Sequence, residues 1–461
     1  MKPARVFVIS DLHLGGAKPA MMSHAKELGT FIGELPKRLG SDESLELVIA
    51  GDFIDFLSIA LADGKAEAWT ANSQRAVDKL NLAMGGQDQP VYEALGGLVR
   101  SGGRLTVIVG NHDLEMAIPA VQQQFCNNLR IGRHQMVFVD NGQAWRIGNA
   151  LIEHGNRYDG ANLNDWQGLR ATASAWSRGE TAPNPLEISA GSQIVQQFVN
   201  PLKQRYPFID ILQPEGELLA YLLLAMEPTL KYDFKSIRRL LVGAIRRALV
   251  PKDGPPRAER NVAAVESDDT LVGKPYDTHV LDALFQVEPV ALSERQVGAT
   301  NWLREFLRAP GDNLAKYLAE DQPIPRDRLI QFQKVITEML KDDDSLNPAG
   351  ATEQYGRHAQ RLCKAAGVEV VVMGHTHKAK HIGAPKKATY INTGTWVDYI
   401  GVPGDVLAPG EAGEAQLRRW LKDLCHDNNV RGFRPHWADL RIEANGTVAE
   451  ASLCPSPGNP G

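Results

Sequence analysis

The hydrophobic pattern alternates between two kinds of segment in the first 160 residues and again after residue 350. Short apolar runs, each closed by a polar or glycine-rich loop, predict β-strands of sheets that are covered on both faces. These runs are RVFVIS (5–10), LELVIA (45–50), RLTVIVG (104–110), ALIEHG (150–155), VEVVVMG (368–374) and ATYINTG (388–394). Helical periodicity at 22–40, 90–103 and 354–367 separates them, and the last helix ends at Gly367. The alternation predicts a layered α/β domain.

The pattern becomes mostly helical between residues 161 and 350, where few strand candidates occur. We therefore predict a core built from 1–160 and 351–450, interrupted by a helical insertion, or cap, at 161–350 that shapes access to the core. Within the insertion, 250–270 is rich in proline and charge and is predicted to be a loop. An Asn-Gly pair in ADLRIEANGTVAEASL predicts a β-hairpin, and 451–461 is predicted to be a disordered tail.

Composition narrows the class of protein without changing this fold prediction. The chain has 461 residues, a net charge of −5 and a pI near 6.2, which argues against wrapping of nucleic acid through overall charge but leaves a local patch open. Its four cysteines form no CxxC pair and are expected to be free thiols in a reducing compartment. The N-terminus enters a strand at once, which predicts no signal peptide, and the apolar run 218–226 is too short to span a bilayer. A cytoplasmic location follows.

One segment of the insertion carries a basic amphipathic pattern. Wound as a helix, 236–250 places its apolar residues on one arc and Arg239, Arg246 and Arg247 on the other. The simplest interpretation is a helix packed on its own core with a solvated basic face. Peripheral contact with the anionic inner membrane, or with a phosphate or nucleic acid, is the alternative.

Potential metal ligands follow five of the six predicted strands. They are Asp11 and His13 in SDLHLGG, Asp52 in GDFIDF, Asn111 in VGNHD, His154 in EHG, and His375 and His377 in GHTHK. Alternate residues of extended backbone point the same way, so the two i, i+2 pairs are each expected to converge on one site. Ligands at the carboxyl ends of neighbouring strands meet in one crevice.

The chemistry of this ligand set predicts more than one ion. Imidazoles, carboxylates and an amide oxygen form a set of intermediate hardness, which suits Mn, Fe, Zn or Ni better than Mg or Ca. Seven ligands exceed what a single ion takes. Two ions sharing a carboxylate accommodate them, and such a pair stabilises in-line displacement at phosphorus.

The ordered motifs D-x-H, G-D, G-N-H-D, H-G and G-H-x-H resemble those of the calcineurin-like metallophosphoesterase superfamily. The resemblance covers roughly 1–160 and 355–450, and it implies a layered β-sandwich flanked by helices. It also implies that the ligands form two sets of three with one residue shared. Asp11, His13 and His377 would hold one ion. Asn111, His154 and His375 would hold the other, and Asp52 would bind both. Mn²⁺ is the expected metal for the two positions.

The same resemblance implies the catalytic roles. A hydroxide bridging the two ions would be the nucleophile. His112 would stabilise the transition state or protonate the leaving oxygen, and Asp55 would orient His112. Gly51, Gly110 and Gly374 would let the backbone turn sharply beside the ions.

Other residues near these motifs have weaker expectations. Asn156 and Arg157 follow His154 on one loop and are expected either to contact a substrate phosphate or to belong to an ordinary surface loop. Asp113 and Glu115 are expected to serve the turn and the helix that follows. His381 lies four residues after His377 and is a candidate for a position near the site.

The predicted function is an enzyme, a metal-dependent phosphodiesterase or pyrophosphatase. GHTHKA followed by INTGTWVD resembles the branch that contains UDP-2,3-diacylglucosamine hydrolases, although those carry arginine where this chain has His112. GNHD also occurs in DNA-repair nucleases of the superfamily, so a DNA nuclease is the first alternative. A non-enzymatic scaffold stabilised by metal is the second. The pattern does not determine the oligomeric state.

Overall fold

The protein is described from a computed structural model. The structure describes residues 2–16, 18–40, 42–64, 67–180, 186–203, 205–213, 222, 225–226, 314–319, 322–340, 353–383, 388–426 and 431–455. The basic segment 236–250, the predicted loop 250–270 and the last six residues lie outside this part of the chain.

The first sheet has six strands in the order β11-β10-β1-β2-β3-β4. They are β1 (Ala4–Ile9), β2 (Ser44–Ala50), β3 (Arg104–Ile108), β4 (Met136–Val139), β10 (His436–Ile442) and β11 (Val448–Pro455). Strands β1 to β4 run parallel, and β10 pairs antiparallel with both β1 and β11. The sequence pattern did not predict β4, which lies at the edge of this sheet.

The second sheet has five strands in the order β5-β6-β7-β9-β8. They are β5 (Trp145–Ile147), β6 (Ala150–Ile152), β7 (Val370–Met373), β8 (Lys380–Ile382) and β9 (Thr389–Asn392). The central strands β6, β7 and β9 are parallel, and each edge strand is antiparallel to its neighbour. The chain is therefore an α/β protein with two mixed sheets.

The two sheets bury one apolar core between them. Strands of both sheets contribute to it, with Val8, Val48, Ile108, Ile152, Val372, Ile391 and Leu440 among its buried members. Side chains alternate along a strand, so Phe7 and Ile9, which are also fully buried, belong to the opposite face of β1. This burial on both faces explains why the strands have continuous apolar sequences.

The helices of the first of two compact units, within the described residues, are α1 (Ala25–Glu34), α2 (Ser73–Ala83), α3 (Gln89–Arg100), α4 (Pro119–Leu129), α5 (Trp166–Trp176), α6 (Ala190–Ile194) and α10 (Glu353–Ala366). Those of the second unit are α7 (Asn200–Lys203), α8 (Leu314–Ala319), α9 (Arg326–Leu340) and α11 (Glu411–His426). Helices α3 and α10 pack on the first and the second sheet, respectively. Helix α3 contacts α1 and β3, and α2 contacts α4. Helix α10 packs on the second sheet through Tyr355, Ala359 and Cys363 and ends at Gly367, whose φ is 61°.

The chain divides into two compact units. The first contains 1–196, 345–398 and 433–461, and the second contains 197–344 and 399–432. The first therefore extends beyond the boundary predicted at residue 160. The reason is that Asn164 and Ser192 donate hydrogen bonds to backbone carbonyls of the loop after β3. The second unit also includes 399–432, which the sequence pattern assigns to the α/β core.

The second unit is held by helix packing in its described part. Helix α9 packs against α11 and against a 3₁₀ turn at Gly404–Leu407. The buried Gln333 amide donates to the carbonyls of Val406 (2.7 Å) and Ala408 (3.0 Å). These bonds fix the turn to the helix.

The C-terminal hairpin is present, but it extends further than predicted. Strands β10 and β11 pair as Trp437 with Cys454 and as His436 with Pro455. Residues 451–455 are therefore part of the sheet and not of a disordered tail, because their backbone groups complete the ladder with β10. Among the helices of the described residues, none combines the length and apolarity that a membrane span needs.

Candidate metal centre

All seven predicted ligands lie in loops after the carboxyl ends of parallel strands. Strands β1, β2 and β3 come from the first sheet and β6 and β7 from the second. Backbone hydrogen bonds tie the loops together: Asp11 donates to the Gly51 carbonyl (3.1 Å), and Gly374 donates to the His154 carbonyl (2.9 Å). The crevice is therefore formed by two sheets, where the sequence analysis expected neighbouring strands of one.

The backbone of the ligand residues is left-handed rather than extended. Six non-glycine residues of the described chain have positive φ, and five of these are predicted ligands. The five are Asp11 (52°), His13 (45°), Asp52 (49°), His375 (70°) and His377 (55°). The i, i+2 argument from extended backbone is therefore wrong, although Asp11 and His13 do meet in one group. His375 and His377 lie in different groups.

Asp11, His13 and His377 form the first group that could hold a metal ion. The Nε2 atoms of the two histidines lie 3.1 Å apart, and His377 Nε2 is 3.4 Å from Asp11 Oδ1. Burial and the charge of neighbouring His112 lower the pKa of His13 to about 4. His13 is therefore neutral at physiological pH, and neutral imidazole is the form that binds metals.

Asp52, His154 and His375 form the second group. His154 Nε2 lies 3.3 Å from Asp52 Oδ2 and 3.2 Å from Asn111 Oδ1. The opposite ring nitrogen, Nδ1, is 2.8 Å from the Ala50 carbonyl. Because a carbonyl only accepts hydrogen bonds, Nδ1 carries the proton and Nε2 keeps its lone pair in the neutral ring.

The arrangement around His154 fits a cation. In the neutral ring its Nε2 lone pair, Asn111 Oδ1 and Asp52 Oδ2 would be three acceptors close to one another, which is unfavourable unless a proton or a metal ion lies among them. Although burial opposes it, the Asp52 carboxylate raises the pKa of His154 to about 9. The space between His154 Nε2, Asn111 Oδ1 and Asp52 Oδ2 therefore favours positive charge. A divalent cation bound there would be coordinated by all three atoms.

Asp52 contacts both groups. Its Oδ2 lies 3.9 Å from His13 Nε2 in the first group and 3.3 Å from His154 Nε2 in the second. Its other oxygen accepts hydrogen bonds from the backbone N–H groups of Asn111 and His112, both at 2.9 Å. Burial opposes ionisation, but the nearby imidazoles hold the pKa of Asp52 well below its usual range.

His112 and Asp55 form a hydrogen-bonded pair beside the two groups. His112 Nδ1 lies 2.9 Å from Asp55 Oδ1, and the Ser58 hydroxyl donates to the other oxygen of Asp55. Burial lowers the pKa of His112, but the carboxylates of Asp52 and Asp55 outweigh this effect and the net pKa is raised. With His13, the pair is also close enough to form a third possible metal group.

Asp159 is a buried site residue that the sequence analysis missed. Its carboxylate lies 3.1 Å from His375 Nε2. Burial opposes ionisation, yet the hydrogen bond to His375 and those from Asn162 and Ala161 lower the pKa of Asp159. The HGNRYD stretch contained this residue, but nothing in its spacing linked it to a histidine more than 200 positions later.

The loop after β9 provides no predicted ligand but supports the first group. The Ser10 hydroxyl donates to the Asp11 carboxylate and lies 2.6 Å from the Thr393 hydroxyl. The Asn392 amide donates to the Gly374 carbonyl (2.7 Å). The NTG sequence therefore positions Asp11 and the GHTH loop, a role that strand periodicity does not reveal.

Asp113 and two residues of the 161–196 segment support the loop after β3. The Asp113 carboxylate accepts from the backbone N–H groups of Phe53 (2.8 Å) and Gly110 (2.6 Å), so it joins the loops after β2 and β3. Burial and the Asp52 charge raise the pKa of Asp113 to about 7. Asn164 donates to the Gly110 carbonyl (2.8 Å), and Ser192 donates to that of Asn111 (3.3 Å).

Three motif glycines are required because neighbouring side chains lie close to their Cα atoms. Only Gly51 has the positive φ (88°) that a sharp turn needs. A Cβ on Gly51 would overlap the His154 ring, one on Gly110 would overlap the Asp52 carboxylate, and one on Gly374 would overlap Ser10 and the Asp11 carboxylate. The ligand side chains therefore occupy the space that a larger residue would fill.

Asn156, Arg157 and His381, the candidates with weaker expectations, lie outside the ligand groups. Asn156 is buried and donates to the Asn162 carbonyl (2.9 Å). Arg157 donates to the Gly142 carbonyl and lies 3.7 Å from the Glu153 carboxylate. His381 is in β8, where it pairs with Ile391.

Comparison with known proteins does not assign this chain to a family. No protein-family model matches it, and no curated protein matches it at a significant level. A function is therefore argued from the chemistry of the site.

Proposed function

We propose that the protein is a dinuclear metal-dependent phosphoester hydrolase of the calcineurin-like metallophosphoesterase superfamily. The position of Asp52 supports this most directly, because one carboxylate oxygen lies near His13 of one group and His154 of the other. A carboxylate shared between two histidine-containing groups is what a pair of neighbouring ions needs.

The side chains divide between the ions as the motifs imply. Asp11, His13 and His377 would hold the first, Asn111, His154 and His375 the second, and Asp52 both. Nitrogen and oxygen donors in similar number favour Mn²⁺, with Fe, Zn or Ni as alternatives. When bound, the ions would supply Lewis-acid activation of water and neutralise charge at phosphorus.

His112 is suited to transfer a proton to the leaving oxygen. Its Nδ1 is engaged by Asp55, which leaves Nε2 as the nitrogen that can exchange a proton with substrate. The adjacent carboxylates raise its pKa and so favour the protonated ring. This proton-transfer role accounts for the Asp55 hydrogen bond, and we prefer it to a third metal ion at the same residues.

A diester or pyrophosphate bond is the proposed substrate linkage. The motif resemblance favours these linkages, and His112 would protonate the oxygen that leaves from either. We test this with Mn²⁺-supplemented assays on a nitrophenyl monoester, a nitrophenyl diester, nucleotide-diphosphate lipids, and single- and double-stranded DNA. We expect hydrolysis of the diester or of the diphosphate.

Asp52→Ala is expected to abolish this hydrolysis with the fold retained. Asp140→Ala is the matched control, since Asp140 follows parallel strand β4 but accepts a hydrogen bond from Gln122. Full activity in Asp52→Ala would contradict the proposal. Cleavage of DNA without cleavage of small diesters would instead support a nuclease, and no metal-dependent hydrolysis at all would support a scaffold.

A further inference from the structure

The hydrogen bond between Asp159 and His375 has a consequence for the second metal group. Asp159 is 5 % exposed, and its Oδ2 lies 3.1 Å from His375 Nε2. An ionised carboxylate can only accept, so Nε2 must carry the ring proton. In the neutral ring, Nδ1 then holds the lone pair and is the nitrogen available to a metal ion.

Asp159 is itself held in place by its own loop. Oδ1 accepts from the backbone N–H of Ala161 (2.9 Å), and Oδ2 accepts from the Asn162 amide (2.6 Å). The Ala161 carbonyl accepts from the backbone N–H of Gly191 (2.8 Å), which anchors this turn to α6. The carboxylate that orients His375 is therefore itself restrained by neighbours.

The two histidines of the second group are thus oriented through opposite nitrogens. His154 donates from Nδ1 to the Ala50 carbonyl and leaves Nε2 toward Asp52 and Asn111. His375 donates from Nε2 to Asp159 and leaves Nδ1. The rings lie edge to face, with centroids 5.2 Å apart and an interplanar angle of 71°.

We propose that Asp159 is a positioning residue for the second metal ion. It fixes the Nε2–H tautomer of His375, so that Nδ1 is the atom that binds the metal. The inference rests on the proposed metal centre but not on the identity of the substrate. Hydrogen-bonding partners of metal-binding histidines typically contribute about 10–100-fold to metal affinity.

Two substitutions separate this role from a general effect on packing. Asp159→Leu removes the acceptor while keeping a side chain of similar length, so we expect the second Mn²⁺ to bind about 10–100-fold more weakly and the first to be unaffected. Asp159→Asn keeps an oxygen that can accept from Nε2–H and should restore part of the affinity. Asp165→Asn is the control, because Asp165 lies on the same stretch but caps α5 through Gly168.

The first measurement is equilibrium dialysis of the full chain against Mn²⁺, with metal content determined by mass spectrometry. The second is NMR of ¹⁵N-labelled histidine side chains in metal-free protein, with His375 assigned from the His375→Gln variant. We expect the Nε2–H tautomer in wild type, Asp159→Asn and Asp165→Asn, and a mixture of tautomers in Asp159→Leu.

The outcomes distinguish this inference from the metal centre on which it rests. A wild-type chain that binds fewer than two Mn²⁺ contradicts the dinuclear centre itself. Two ions in wild type, with unchanged affinity in Asp159→Leu, overturn only the role of Asp159. An Nδ1–H tautomer of His375 in wild type also overturns it, even if Asp159→Leu fails to fold.

Discussion

The strained backbone of the site is its main feature at the scale of single residues. A left-handed conformation costs an L-residue roughly 1–2 kcal/mol, and five site residues adopt it. Such strain persists only where the surroundings impose it. Here the backbone N–H of His13 donates to the Asp52 carbonyl (3.0 Å), and that of His375 donates to the Asp11 carboxylate (2.9 Å).

Gly110→Ala is expected to disrupt the site, because its Cβ would overlap the Asp52 carboxylate and backbone. We expect loss of Mn²⁺ binding, measured by dialysis, and loss of any metal-dependent hydrolysis. Gly97→Ala is the matched control: Gly97 lies in α3, and a Cβ there meets nothing within 4 Å. That change should preserve metal binding and stabilise the fold by about 0.5–1 kcal/mol. Normal metal binding in Gly110→Ala would show that the Asp52 loop can move.

His112→Asn is expected to lower kcat by about 10²–10⁴-fold, the usual contribution of a positioned proton donor. Metal content should stay unchanged, because other side chains carry the proposed ligand atoms. Steady-state kinetics with measured metal occupancy tests this. Loss of an ion together with activity would assign His112 to the metal instead.

Asp55→Asn should change the pH dependence of the same reaction. Proton donation needs protonated His112, so activity falls as the pH rises through the pKa of His112. Asp52 and Asp55 raise that pKa against the effect of burial. Removing the Asp55 charge lowers it, so the fall in kcat should move to lower pH. If kcat of the variant falls at the same pH as kcat of the wild type, Asp55 does not act through His112.

At the scale of secondary-structure elements, a buried ion pair links α2 to the chain after the GNHD motif. Lys79 Nζ in α2 lies 2.9 Å from Glu115 Oε1, and both side chains are at most 2 % exposed. Glu115 belongs to a 3₁₀ turn, Leu114–Ala117, that begins two residues after His112. The pair therefore anchors the loop that carries Asn111 and His112, a more specific role than the turn chemistry expected of Glu115.

Lys79→Met should destabilise the fold by roughly 3–5 kcal/mol, because it leaves the Glu115 carboxylate buried without its partner. The double variant Lys79→Met/Glu115→Gln removes both charges and should recover much of this loss. Urea unfolding of both variants measures the difference. Equal destabilisation in the single and double variants would show that packing, not charge pairing, holds these elements together.

At the scale of the whole first unit, the proposed ions would connect the two sheets. The ligand-bearing loops follow β1, β2 and β3 in one sheet and β6 and β7 in the other. Metal ligation would therefore act between the two sheets, in addition to the apolar core that they bury.

Metal removal should lower the stability of this unit. Ligands that bind only the folded state stabilise it by about 2.7 kcal/mol at a free concentration of about 100 times Kd. We expect the midpoint of thermal unfolding to fall on chelation and to recover with Mn²⁺. The Asp52→Ala variant should show little response to either treatment. An identical response in that variant would place the stabilising metal elsewhere.

The sequence alone indicated most of the strands and the polar residues that follow them. Continuous apolar runs predicted β1, β2, β3, β6, β7 and β9, since burial on both faces requires such runs, and Asp, Asn or His follows all of these except β9. The edge strands β4 and β8 were missed, whereas the equally short central strands β6 and β7 were predicted from their fully buried apolar runs.

Only the tertiary structure decided how these ends meet. It put five ligand residues into left-handed backbone, brought Asp159 to His375, and placed Asn164 and Ser192 beneath the Asn111 loop. The local pattern of apolar and polar residues indicates which faces of a strand are buried. It does not report hydrogen bonds between loops far apart in the chain, because these depend on how the sheets pack. For this protein, the sequence predicted which potential ligand residues would lie together, and the fold decided which atoms they present.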